Sequence, residues 1–101
     1  MHTWTFMTNH ARVLRCIATE RDATIRQIAR CVDLTERATH RIINDLDEAG
    51  YVTRRREGPR NVYVVHPELP LRHAYDEGHQ IGELLAVLTE ERTEDGVAQA
   101  R

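Results

Sequence analysis

The sequence predicts a mainly α fold with a small β-hairpin: a three-helix core, the hairpin, then a long C-terminal helix. Three observations carry this. Apolar residues recur at helical spacing in three short segments before Gly50, each behind a capping threonine or asparagine. After Gly50 the pattern changes to a strand–turn–strand run rich in β-branched residues. Beyond Pro67 and Pro70 the helical spacing returns.

The elements follow in order. Trp4 and Phe6 alternate with threonines, as in a short extended arm over residues 1–8. Thr8 and Asn9 suit a helix start, and Val13, Leu14, Ile17 and Ala18 give a first helix over about 9–20. Thr24-Ile25-Arg26-Gln27 reads as a capping box, with Ile28, Ala29 and Val32 as the apolar face of a second helix over about 25–32. Asp33-Leu34 makes a tight turn, and Thr35 caps a third helix over about 36–49 that Gly50 ends. Tyr51 to Glu57 forms a strand, Gly58-Pro59-Arg60-Asn61 a turn, and Val62 to Val65 the return strand. A last helix over about 71–92 and a frayed tail over 93–101 complete the chain.

At 101 residues the chain is long enough for one core and little more. No apolar run suits a bilayer span, the first residues do not resemble a secretion signal, and two cysteines are too few for a disulfide framework. The expected location is the cytoplasm. The net charge of −2 hides an asymmetry: residues 1–66 hold 11 Arg and eight acids, whereas residues 67–101 hold three Arg and eight acids. All 14 cationic side chains are Arg. Arginine suits phosphates and guanine edges, although a GC-rich coding bias produces the same composition.

A short helix joined tightly to a second helix is the bihelical unit of DNA-binding domains. On the third helix Ala38, Ile42, Leu46 and Ala49 share one side, with Ile43 at its edge. Arg37, His40, Arg41 and Asn44 lie opposite, with Glu36 beside them. Arg pairs with guanine, Asn with adenine and Glu with cytosine in a major groove, but every surface helix has a polar face. Arg54, Arg55, Arg56 and Arg60 make the hairpin cationic. That suits a basic wing on a phosphate ridge or minor groove, and equally an edge strand charged against aggregation. One hairpin face must meet the domain, so not all of these arginines are free.

The run LTERATHRIINDLDEAGYVTRRREGPRNVYVVHPE resembles the recognition-helix-plus-wing segment of MarR- and ArsR-like winged-helix regulators, and the likeness extends upstream through IRQIARCVDL over roughly residues 9–67. The resemblance implies a winged helix-turn-helix domain that binds double-stranded DNA and regulates transcription. It places Arg37, Thr39, His40 and Asn44 toward the groove and Arg60 at the wing tip. Thr24, Thr35, Glu36, Arg41, Arg54, Arg56 and Asn61 complete the candidate DNA contacts. Pro59 departs from the Gly/Arg-rich tips of that pattern.

On the last helix, Leu71, Ala74, Tyr75, Gly78, Ile81, Gly82, Leu85 and Leu88 form one stripe, with Leu84 and Val87 outside it. Apolar residues on more than one face call for a second surface, so a homodimer is expected through this helix over 68–92, joined by Trp4 and Phe6. A helix folded back on its own domain is the competing reading. Gly78 and Gly82 would admit a close backbone. The resemblance implies the same, since related regulators often dimerise through terminal helices.

Other chemistries find little support. No CxxC or HxxxH pair appears, so no metal or cofactor is expected, with a site across a dimer using His66, His73 or His79 left open. There is no phosphate-cradling glycine loop or nucleophile elbow, so no enzyme is expected. A winged-helix protein-interaction module without DNA binding is the alternative function. The sequence does not identify an effector, an operator, or repression against activation.

Overall fold

The computed structural model describes residues 3–89. Its order is α1 (Asn9–Thr19), α2 (Ile25–Val32), α3 (Glu36–Glu48), β1 (Val52–Glu57), β2 (Arg60–Val65), a single 3-10 turn (Ala74–Asp76) and α4 (Ile81–Thr89).

Each of the first three helices starts where a threonine hydroxyl takes an orphan N–H. Thr8 accepts from Ala11, Thr24 from Gln27 and Thr35 from Ala38. At Thr24 the box is reciprocal, because the Gln27 side chain accepts the Thr24 N–H at 2.8 Å. The turn into α3 needs one residue in the left-handed region, and Asp33 supplies it at φ 61°. Asp tolerates that conformation better than most side chains because its carboxylate can bond locally. Helix α3 ends in a Schellman motif: Gly50 N–H reaches Asp47 O at 3.1 Å and Tyr51 N–H reaches Leu46 O at 3.0 Å. Gly50 sits at φ 90°, which a side chain would strain.

The core forms where the helical stripes meet. Val13, Leu14 and Ile17 of α1 pack with Ile28 of α2 and with Ile42, Ile43 and Leu46 of α3. Tyr51, Val52 and Tyr63 close it from the hairpin side. Burial of each such aliphatic side chain is worth about 1.5–3 kcal/mol. The hairpin is antiparallel, pairing Val52 with Val65 through Glu57 with Arg60. Its turn is therefore two residues, Gly58-Pro59, and the expected turn residues Arg60 and Asn61 belong to β2.

The C-terminal region differs from the expected single helix over about 71–92. Within the described residues only Ile81–Thr89 is α-helical, and positions 90–92 and the tail over 93–101 lie outside them. Residues 71–80 form a closed excursion instead. Leu71 N–H bonds His79 O at 2.9 Å, Ile81 N–H bonds Leu69 O at 2.7 Å, and Pro70 bridges Gln80. The backbone finds its partners across the neck of this loop, so continuing a helix gains nothing. Tyr51 Oη anchors the neck by donating to Pro70 O at 2.6 Å.

The one-stripe arrangement fails with that helix. Ile81 and Leu85 are buried in the chain's own core, and Leu71 and Leu84 pack against it. Gly82 does admit a close backbone, but the backbone is that of Pro67 in the same chain: a Cβ there would lie 2.8 Å from Pro67 Cβ and 2.8 Å from Pro67 O. Helix α4 packs on α1. No helix among the described residues is long and apolar enough to cross a membrane.

Candidate nucleic-acid interface

Helix α3 divides by burial. Thr39, Ile42, Ile43 and Leu46 are buried, and Arg37, His40 and Arg41 are exposed, with Asn44 half-buried at the hairpin side. Spacings of three and four align residues 37, 40, 41 and 44 along one outward face. Among the described residues, Arg37 and Arg41 have no ion-pair or hydrogen-bond partner within the chain. Their guanidinium forks are held only by their stems.

Thr39 is a correction. It was expected toward a groove, yet it is 0% exposed and its hydroxyl donates to Thr35 O at 2.8 Å. It lies three and four residues before Ile42 and Ile43, which puts it on the core stripe. Its only polar side-chain group is satisfied one turn back, so it fills a core position without cost to hydrogen bonding. Ala38, expected on the inner side, is half-buried.

Arg54 is the second correction. Residues 54 and 56 share the strand face of Val52, and Arg54 is close enough to α3 to be captured. Its Nη2 donates to Asn44 Oδ1 at 2.8 Å and to Asp47 Oδ2 at 3.2 Å. With 27% of its side chain exposed, it braces wing against helix and does not project as a free cation. Arg56 stays exposed at the tip, with Nε donating to Gly58 O at 3.2 Å. Arg55 points the other way and pairs with Glu57 at 3.1 Å.

The remaining hairpin candidates lie near the tip. Arg60 is largely exposed and stands 3.9 Å from Asp22 of the α1–α2 loop. Asn61 is half-buried opposite Arg56. Thr24 and Thr35 are exposed at helix starts, where their hydroxyls already accept backbone N–H groups. Glu36 faces Arg26 at 3.3 Å. Arg26 was not singled out from sequence. It sits in the first turn of α2 with 75% of its side chain exposed, beside the start of α3. Its position behind the Thr24 cap was the signal that could have found it.

A further tie joins α1 and α3 at the surface: His10 Nε2 and Asp45 Oδ2 lie 2.8 Å apart. The two cysteines face each other across α1 and α2. Cys16 is 5% exposed, and burial first, then a hydrogen bond and charge from Cys31, push its thiol pKa up to about 12. Among the described residues no group of three or more His, Cys, Asp and Glu is placed to hold a metal ion.

Three helices with a tight second-to-third turn, followed by a basic two-stranded wing, define a winged helix-turn-helix domain. The sequence profile of the MarR family matches residues 5–60, more than half of the chain, and the chain belongs to that family of DNA-binding transcription regulators. The match runs from Thr5 in the arm through all three core helices, β1 and the wing turn to Arg60. No curated protein matches the chain.

Proposed function

We propose that the chain is a sequence-specific regulator that binds double-stranded DNA as a homodimer, with α3 in the major groove and the wing on the backbone or minor groove. The observation that carries this is the outward face of α3, where Arg37, His40 and Arg41 are exposed and neither arginine is paired among the described residues. Asp45 lies four residues beyond Arg41, where a pair would form on an ordinary surface helix, yet its Oδ2 turns to His10 at 2.8 Å and Arg41 stays unpaired among the described residues. Arg56 and Arg60 at the wing tip supply cations that suit phosphates or a narrow minor groove. Arg60 would exchange its 3.9 Å contact with Asp22 for a phosphate. Thr35, at the start of α3, would offer its N–H to the phosphate backbone, whereas the Thr24 N–H is already taken by Gln27 at 2.8 Å, so Thr24 would contribute only through its exposed position at the start of α2.

The homodimer is supported by apolar surface left over after the core is built. Trp4 is 61% exposed, Phe6 91%, Tyr75 91% and Val87 71%. Trp4 and Phe6 stack edge to face with ring centroids 5.0 Å apart, a preformed apolar knob. The arm borders an open cleft of about 880 Å³ that Leu71, Leu84 and Ile81 line from the far side. Exposed aromatics flanking a cleft are the surface a second copy would cover. With Ile81, Gly82 and Leu85 committed internally, we assign the contact to Trp4, Phe6, Tyr75 and Leu88, with Gly78 at the exposed loop. A two-fold dimer puts the two α3 helices about one helical turn apart on a pseudo-palindrome.

The test is selection of bound sequences from a random duplex pool, repeated with Arg37→Ala and Arg60→Ala. Arg37→Ala should relax the preference at one base position, and Arg60→Ala should weaken all sequences alike. Equal, sequence-blind effects from both would remove the recognition role of α3. A winged-helix protein-interaction module predicts no enrichment at all.

A further inference from the structure

The captured Arg54 has a consequence for what α3 can read. A guanidinium carries donors only, so the Asn44 atom 2.8 Å from Arg54 Nη2 is the carboxamide oxygen. That fixes the amide, and the Asn44 NH2 group then points away from the wing, 3.4 Å from His40 Nδ1. For Nδ2–H to donate there, the neutral imidazole carries its proton on Nε2. In the order Asp47, Arg54, Asn44, His40, Asp47 holds the donor-only guanidinium, which sets the orientation of the Asn44 amide, and the amide sets the tautomer of His40. Its outer end is an Nε2–H donor on an exposed residue.

We propose that Arg54 is a positioning residue that gives the outward face of α3 a donor edge, and that the matching half-site is therefore rich in guanine. The proposal rests on the groove reading above. Arg37 and Arg41 are donors by nature, and Asn44 and His40 become donors through Arg54. Most acceptors nearby are turned aside: Glu36 directs Oε2 to Arg26 at 3.3 Å, at the N-terminal edge of the face, Thr35 Oγ1 accepts from Ala38 N–H at 3.0 Å, and Thr39 is buried. Guanine offers two acceptors, N7 and O6, to the major groove, whereas adenine offers N7 beside an amino donor. An asparagine reads adenine with both ends of its amide. With Oδ1 held by Arg54, Asn44 is turned from that role into a donor for an acceptor edge.

The test uses the full chain in the wild-type form, Arg54→Ala, Asn44→Ala and the double variant. Each is put through random-duplex selection and a salt titration on the wild-type site. The wild type should enrich guanine at the positions under α3. Arg54→Ala and Asn44→Ala should lose the same preference, by about tenfold in discrimination for one base contact. The double variant should lose no more than either single one, and the salt slope of Arg54→Ala should match the wild type. Should Arg54→Ala unfold, Arg54→Met keeps the stem against α3 and is read in its place. A slope reduced by about 0.9 with base preference intact would make Arg54 a phosphate contact and overturn the proposal. Additive losses, or adenine enriched in place of guanine, would overturn it too while leaving the groove reading standing. A wild type that binds no duplex removes both.

Discussion

Thr39 shows how one side chain can cross from the expected reading face to the core. Its hydroxyl bonds Thr35 O, so the residue presents a methyl group and no unmet polarity to Ile42 and Ile43. Thr39→Val should leave duplex affinity unchanged and shift unfolding free energy by less than about 1.5 kcal/mol, read from denaturant midpoints. The helical spacing of residues 39, 42, 43 and 46 was in the sequence; Thr39 was placed toward the groove only by the family resemblance, against that spacing. Arg54 was harder. Alternation shows that one of the hairpin arginines must face inward, but nothing local says that Asn44 and Asp47 wait on the facing helix. Cys16 allows a prediction by pH. Its thiol, ordinarily near 9.0, is pushed up to about 12 in the fold. The protonated thiol is the favoured folded form, so its contribution to stability is complete below pH 9 and is lost as pH rises toward 12. In native protein near pH 8 an alkylating reagent should label exposed Cys31 and leave Cys16 intact, with the second label appearing on denaturation. Equal labelling of both in native protein would contradict the burial of Cys16.

Among the elements, caps were legible and the C-terminal segment was not. The Thr24 box and the Gly50 stop rest on local chemistry, and both form. Thr24→Ala removes the acceptor for Gln27 N–H at 3.1 Å and should cost about 1 kcal/mol by chemical denaturation. The spacing of Leu71, Tyr75, Gly78 and Leu85 fitted a helix, yet residues 71–80 close a loop through Leu71–His79 and Ile81–Leu69 hydrogen bonds. That choice depends on contacts with residues 67–70, which no helical window contains. Gly82 separates the two accounts of α4. Helix propensity alone makes Gly82→Ala stabilising by about 1 kcal/mol. Here the new Cβ would meet Pro67 backbone and ring at 2.8 Å, and Gly82 N–H bonds Pro67 O at 2.9 Å. The clash wins, and Gly82→Ala should destabilise by about 1–3 kcal/mol, lowering the thermal midpoint.

At the scale of the molecule, the α3 face and the wing tip are cationic, while the described acids beyond the wing, Glu68, Asp76, Glu77 and Glu83, lie on the C-terminal segment. Net charge is therefore a poor guide to what this chain binds, since a duplex meets one face of it at short range, within about a Debye length. The arm and Tyr75 are exposed apolar surface, which the proposed homodimer would shield from water. Replacing Phe6 and Tyr75 together by Ser should shift the chain toward monomer in sedimentation equilibrium and weaken duplex binding by loss of the second half-site, with the fold intact by circular dichroism. The reading of α3 itself is tested most directly by the salt dependence of binding to its selected duplex. Log affinity should fall linearly with log salt, with a slope reduced by about 0.9 for each phosphate contact deleted at the wing tip and unchanged by Arg54→Ala. A flat salt dependence, or no binding in dilute buffer, would contradict that reading.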